Sequence, residues 1–375
     1  MRKTLLLFLL SLSCIWITAQ TVSTTGTLSV SKTVSLAPGG VVDENEGYFT
    51  IAFEDVEEAY YTAYQMDIYL PDGYSFAIPE GWESCAALNE NGGVYPKVNR
   101  KYVHTPALAL RSANHLFVMV TDGSYANKAF VAHSGDLLEV YVEASPYAKP
   151  GDFQITVSGI KFVAPDETGY LYDDQILTAG TLSAESTLPL KITFANKIST
   201  AIFPFSCDVP EGLEVYTADG IDGEYLTLVQ EDDITAFTPY ILYAENGFDD
   251  TLNGTIETSN YPESAIVNDT YITGVLKDTE VAAGFVLQNK GEGPMFYRIG
   301  DTPFTIPAGK CYANPLPSGA AAIAIHFGDD DVNGIHSANA SRSDSQTVYD
   351  LQGKQVLNPQ SGHIYIIDGQ KVLKR

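Results

Sequence analysis

Apolar side chains recur at every second position in short runs along nearly the whole chain, and each run is broken by glycine, proline, asparagine or aspartate. Side chains on a strand alternate between its two faces, so this rhythm builds strands with one apolar and one wet side. Almost no segment carries apolar residues at helical spacing, and the reading is all-β. In the stretch around residues 61 to 70, Tyr64, Met66, Ile68 and Leu70 share one face. Tyr61, Ala63, Gln65, Asp67 and Tyr69 are expected on the other. Pro71-Asp72-Gly73 then supplies turn chemistry, proline pre-setting φ and glycine tolerating a positive one.

Further alternating runs follow at 115–123, 135–144 and 151–164. Strands with turns about every ten residues predict a two-sheet sandwich, which closes its core by packing two apolar faces. The chain thus divides into two successive antiparallel β-sandwich domains, at 20–181 and 186–328. A linker rich in Asp, Asn, Ser and Gly spans 329–346, and a small hairpin module spans 347–375. In that module Asp368-Gly369 is the dipeptide that suits a two-residue hairpin turn.

The N-terminus has Arg2 and Lys3, an apolar run, and Ile17-Thr18-Ala19 before Gln20. These are the parts of a secretory signal peptide, with cleavage expected between Ala19 and Gln20. Cys14 fits a lipoprotein signal poorly, because Ser11 stands where a large aliphatic residue is usual. The 375 residues carry a net charge of −26, and removing residues 1–19 takes it to −28. Such a chain repels phosphate backbones and anionic lipid, which excludes nucleic acid and direct membrane adsorption as partners. Cys85, Cys207 and Cys311 remain after cleavage; an odd count is no complete disulfide framework. A Cys207–Cys311 bridge and two buried thiols are equally open readings.

The chain holds no G-x-S-x-G elbow, H-E-x-x-H pair, Walker loop or G-x-G-x-x-G fingerprint. Its six histidines are scattered and none is paired at metal-ligand spacing. No catalytic residue is assigned, and no cofactor is expected. Asp329, Asp331, Asn333 and Gly334 match the first half of a calcium loop, in which oxygens at alternate positions converge on a hard cation. The bidentate acid due at the twelfth position would be residue 340, an alanine, so the linker reading is preferred over a metal site. Tyr61 and Tyr69, with Gln65 and Asp67, form the candidate partner-binding face, since rings among polar groups hold flat ligands and proteins. Trp82, the one tryptophan left after cleavage, joins them.

The run "YTAYQMDIYLPDG", followed by "LFVMVTDG" and "GDLLEVYVEASPYAKPGDFQITVSGIKFV", resembles the cohesin-like β-sandwich of secreted proteins from Gram-negative anaerobes. The likeness covers roughly residues 27–181. It implies a binding module, since true cohesins hold dockerin modules on one sheet face. The tail, with Val348-Tyr349-Asp350-Leu351, Gly353, Gly362, Tyr365-Ile366-Ile367, Lys371, Lys374 and Arg375, is similar to a shortened sorting domain of the type IX (Por) secretion pathway. That resemblance implies export machinery as a partner and the outer cell surface as the destination, or the periplasm if the tail does not sort.

The expectation is therefore an exported or cell-surface, non-enzymatic binding or adhesion protein that holds a protein module or a glycan. The alternatives are a carbohydrate-binding accessory protein of a glycan-utilisation system and a carboxylate-dependent glycoside hydrolase, which would need two carboxyl groups facing one cleft.

Overall fold

The computed structural model describes residues 20–22, 26–40, 45–55, 61–87, 104–122, 134–184, 187–222, 225–289, 294–314, 320–327, 348–349, 364–367 and 370–373. The described residues are all-β, and no helix occurs among them.

Residues up to 182 build two facing sheets. The larger runs Gln20–Val22, Gly169–Leu171, Gly151–Val163, Ala63–Tyr69, His115–Asp122 and His104–Ser112. Gln175–Leu182 and Val34–Leu36 extend it from Gly151–Val163. The smaller sheet orders Thr27–Lys32, Tyr48–Glu54, Ser134–Ala144 and Tyr74–Phe76, with Ala86–Ala87 also paired to Ser134–Ala144. The alternating side chains meet between the sheets: Tyr64, Met66 and Ile68 from one, and Phe49, Ile51, Phe53, Val140 and Val142 from the other, are buried. Each such side chain contributes about 1.5–3 kcal/mol on leaving water. Phe162 lies at the middle of an aromatic cluster, stacked on Phe53 at 4.1 Å and edge-on to Tyr61 at 5.0 Å. Tyr64 donates its hydroxyl to the Leu137 carbonyl at 3.2 Å, so a ring in the core still satisfies its polar end.

The second stretch is also built of several sheets, and among its described residues three two-stranded sheets accompany one of ten strands. One ten-stranded sheet begins at Ile198–Ile202 and Pro239–Tyr243 and ends at Cys311–Ala313, Ile272–Val275 and Ile266–Asn268. It bends until its ends meet: Ile198–Ile202 lies against Cys311–Ala313 and Ile272–Val275. Gly274 permits that approach, since a Cβ there would stand 2.7 Å from the Ile202 side chain. Pairing is mostly antiparallel, but three strand pairs among the described residues are parallel: Gln20–Val22 with Gly169–Leu171, Val34–Leu36 with Gln175–Leu182, and Tyr225–Glu231 with Ala322–Phe327. Each joins strands distant in sequence, so no hairpin turn dictates their direction.

The two stretches belong to one compact unit. Tyr147 fills the joint: its ring sits where a Cβ on Gly309 would be, and its carbonyl accepts the Tyr261 hydroxyl. Lys277 pairs with Asp72 at 2.6 Å beside them. The tail is a separate unit, in which Val348–Tyr349, Ile364–Ile367 and Gln370–Leu373 form an antiparallel sheet and Ile367 pairs with Gln370.

Candidate functional site

The side chains that point away from the core on the larger sheet form a continuous surface. Strand Ala63–Tyr69 is central, and its register with His115–Asp122 sets Gln65 beside Met119, Asp67 beside Phe117 and Tyr69 beside His115. The next strand adds Ala107 and Ala109 opposite Met119 and Phe117. These alanines are too short to shield their neighbours, and Phe117 and Met119 stay half-buried. On the other side Thr156 and Ser158 flank Tyr69 and Asp67, and Ile176, opposite Thr156, is 67% exposed.

Polar and apolar groups interlock on this face. His115 Nε2 lies 2.7 Å from Asp67 Oδ1, and the His115 ring stacks on Tyr69 at 4.2 Å. The Arg111 guanidinium sits 4.8 Å from the centre of the Phe117 ring. Both partners of the His115–Asp67 pair keep contact with water, so the pair contributes at most about 1 kcal/mol. Its effect is to hold Tyr69 upright over the strand with one side of its ring open at 37% exposure. A rigid ring with few rotamers offers contact area at low entropic cost. The face thus combines partly open rings, a guanidinium and a methionine with the polar side chains of Gln65, Asp67, Thr156 and Ser158.

The structure places the sequence-derived residues in three different locations. Gln65, Asp67 and Tyr69 lie on this face as expected. Tyr61 does not: it is only 5% exposed, outside the regular strand that begins at Ala63, and it turns into the core. There its hydroxyl donates to Asp55 Oδ2 at 2.5 Å and lies 2.8 Å from the Tyr172 hydroxyl. Burial, and the bonds to Asp55 and Tyr172, hold its phenol well above the usual tyrosine range. Trp82 is 37% exposed but packs its ring at 5.0 Å on Tyr141, which also carries Tyr48 at 5.1 Å. Tyr141 alternates with the core residues Val140 and Val142, so Trp82 covers the outside of the smaller sheet, the opposite wall of the sandwich.

The remaining expectations divide between what is described and what is not. Gln20 opens a strand paired with Gly169–Leu171. Ala19, Asp329, Asp331 and Asn333 lie outside the described residues. Among the described residues no group of three or more His, Cys, Asp or Glu side chains is arranged to hold a metal. Cys207 and Cys311 are thiols: Cys207 sits in a short pairing with Ile234, whereas Cys311 donates to the Ala201 carbonyl at 3.1 Å. Burial pushes the Cys311 thiol up to about 12, so it stays protonated.

His115, Phe117, Met119 and Arg111 were missed in the sequence because the run "HLFVMVTDG" reads as one more core strand. Its alternation did expose three of them; what the sequence lacked was the register that brings them to Tyr69.

No known protein family's sequence profile matches the chain, and no curated protein does. Solved structures are similar to parts of it. A type I cohesin from Clostridium thermocellum, solved in a cohesin–dockerin complex, is 12% identical over 44% of this chain and 96% of its own, with a TM-score of 0.32. A type I cohesin from Pseudobacteroides cellulosolvens is 11% identical over 45% and 97%, with a TM-score of 0.31. A non-cellulosomal cohesin from the archaeon Archaeoglobus fulgidus is 10% identical over 43% and 94%, with a TM-score of 0.27.

Proposed function

We propose that this chain is a non-enzymatic binding protein that grips a folded protein partner with the outer face of its larger sheet, centred on Tyr69. The observation that carries the reading is the unbroken patch of Tyr69, His115, Phe117, Arg111, Met119 and Ile176, part open and part braced by cross-strand contacts. A protein is favoured over a glycan because the rings that together would make a sugar platform are dispersed. Tyr61 is in the core and Trp82 is on the opposite wall. A hydrolase with facing carboxylates has less support, since among the described residues no aspartate or glutamate lines the cavity described below.

The reading extends to location. Export through the N-terminal signal and display at the cell surface through the tail would bring an acidic, heavily charged module into contact with external partners. No helix among the described residues is long and apolar enough to cross a membrane.

The test is site-specific photo-crosslinking in the source cells, with a benzophenone amino acid at position 69, 117 or 176 and at position 225 as a control. A discrete protein adduct from the first three positions and none from the control is the expected outcome. Glycan-array binding that survives Tyr69→Ala, with no protein adduct, would replace the proposal by the sugar reading.

A further inference from the structure

Away from the sandwich face, the ten-stranded sheet closes on itself along a seam, and a cavity of about 260 Å³ opens there. The seam is fastened on one side. Ile202 N donates to the Gly309 carbonyl at 3.1 Å, Cys311 N donates to Thr200 Oγ1 at 3.0 Å, and that hydroxyl donates to the Cys311 carbonyl at 3.2 Å. Lys310 lies between these anchors, so its backbone is fixed on both sides.

Lys310 is the only charged residue lining the cavity among those described. This is notable in a chain where 47 acidic residues outnumber 21 basic ones. Its Nζ donates to Ser199 Oγ at 3.1 Å, and no carboxylate pairs with it among the described residues. Carboxamides from Asn196 and Gln288 share the wall, and Val286, Phe304 and Ile306 make the rest of it apolar. Burial holds the Lys310 ammonium below the usual lysine range, the direction expected when a cation leaves water without a counter-charge. The facing titratable group, the Cys311 thiol, stays neutral and supplies none.

We propose that this cavity binds a small monocarboxylate with an apolar tail, the carboxylate on Lys310 and Ser199 and the tail against Val286 and Phe304. One ammonium matches one negative charge; a phosphate dianion would bring a second charge, and the described lining residues hold no second cation to meet it. The net charge of −26 further repels polyanions. Carboxamide and hydroxyl donors complete the carboxylate's hydrogen bonds beside the apolar wall.

Isothermal titration of the full chain with phenylacetate and with the neutral phenylacetamide tests this. Phenylacetate should bind with a Kd of about 1 mM or tighter. Lys310→Met should weaken it at least tenfold and leave the amide's weaker binding unchanged. Should that variant unfold, the side-chain amide NMR signals of Asn196 and Gln288 in the unaltered protein give the answer, shifting at an at least tenfold lower concentration of the acid than of the amide. Equal affinity for acid and amide, no binding of the acid at about 10 mM, or unchanged affinity in Lys310→Met would overturn the proposal.

Discussion

Replacing Tyr61 by phenylalanine removes one oxygen and keeps the ring. That ring packs edge-on against Phe53 at 5.7 Å and Phe162 at 5.0 Å, contacts the variant retains. What disappears is a donor 2.5 Å from Asp55 Oδ2 at a site where both residues are largely shielded from water. A hydrogen bond to a charged acceptor is worth about 1.5–3 kcal/mol, and the variant should lose that much stability. Tyr61→Ala loses the ring as well and should cost about 3–5 kcal/mol for its packing in addition. Tyr69→Phe, at a site open to water, should change stability by less than about 0.5 kcal/mol. Urea unfolding followed by circular dichroism reads all three as shifts in midpoint at constant slope. A double-mutant cycle with Asp55→Ala should show strong coupling for Tyr61 and none for Tyr69. Equal and negligible effects of the two phenylalanine variants would refute the inward placement of Tyr61.

Other outcomes follow from the same geometry. Gly309→Ala would set a Cβ 2.1 Å from the Tyr147 hydroxyl at a φ of +79°, and should destabilise by about 2–3 kcal/mol in thermal melts. Lys277→Ala removes only an exposed pair with Asp72 at the same joint and should cost less than about 1 kcal/mol. Burial raises the phenols of Tyr61, Tyr74 and Tyr147 above the usual tyrosine value of about 10. Above that pH the unfolded chain therefore loses protons first. The stability they contribute is complete below pH 10 and is lost as pH climbs beyond it, so Tm should fall there, less steeply in Tyr147→Phe. Deletion of residues 347–375 should leave the protein in the periplasm; normal appearance outside the cell would remove the sorting role of the tail.

Two-residue alternation was enough to find the core of Ala63–Tyr69, because Tyr64, Met66 and Ile68 must turn together on a pleated strand. The same alternation misplaced Tyr61. Periodicity does not mark where a strand starts, and the chain before Ala63 follows the bonds to Asp55 and Tyr172 instead. Trp82 stood out as the one tryptophan beyond the N-terminal signal-like segment, yet Tyr141, nearly sixty positions away, decides what it covers. Register between strands is a tertiary property, so the grouping of His115, Phe117 and Arg111 around Tyr69 was hidden. The Lys310–Ser199 contact spans 111 residues and exists only because the second sheet bends back on itself. The linker, the signal and the calcium-like loop fall outside the described residues.

Hydroxyl-radical footprinting of the protein on its source cells, compared with the purified chain, addresses the partner face without knowing the partner. Tyr69, Phe117 and Met119 should be protected on cells while Trp82 and Tyr225 oxidise equally in both samples. Unchanged oxidation of Tyr69 and Met119, or protection confined to Trp82, would contradict the assignment of the larger sheet as the surface that meets the target.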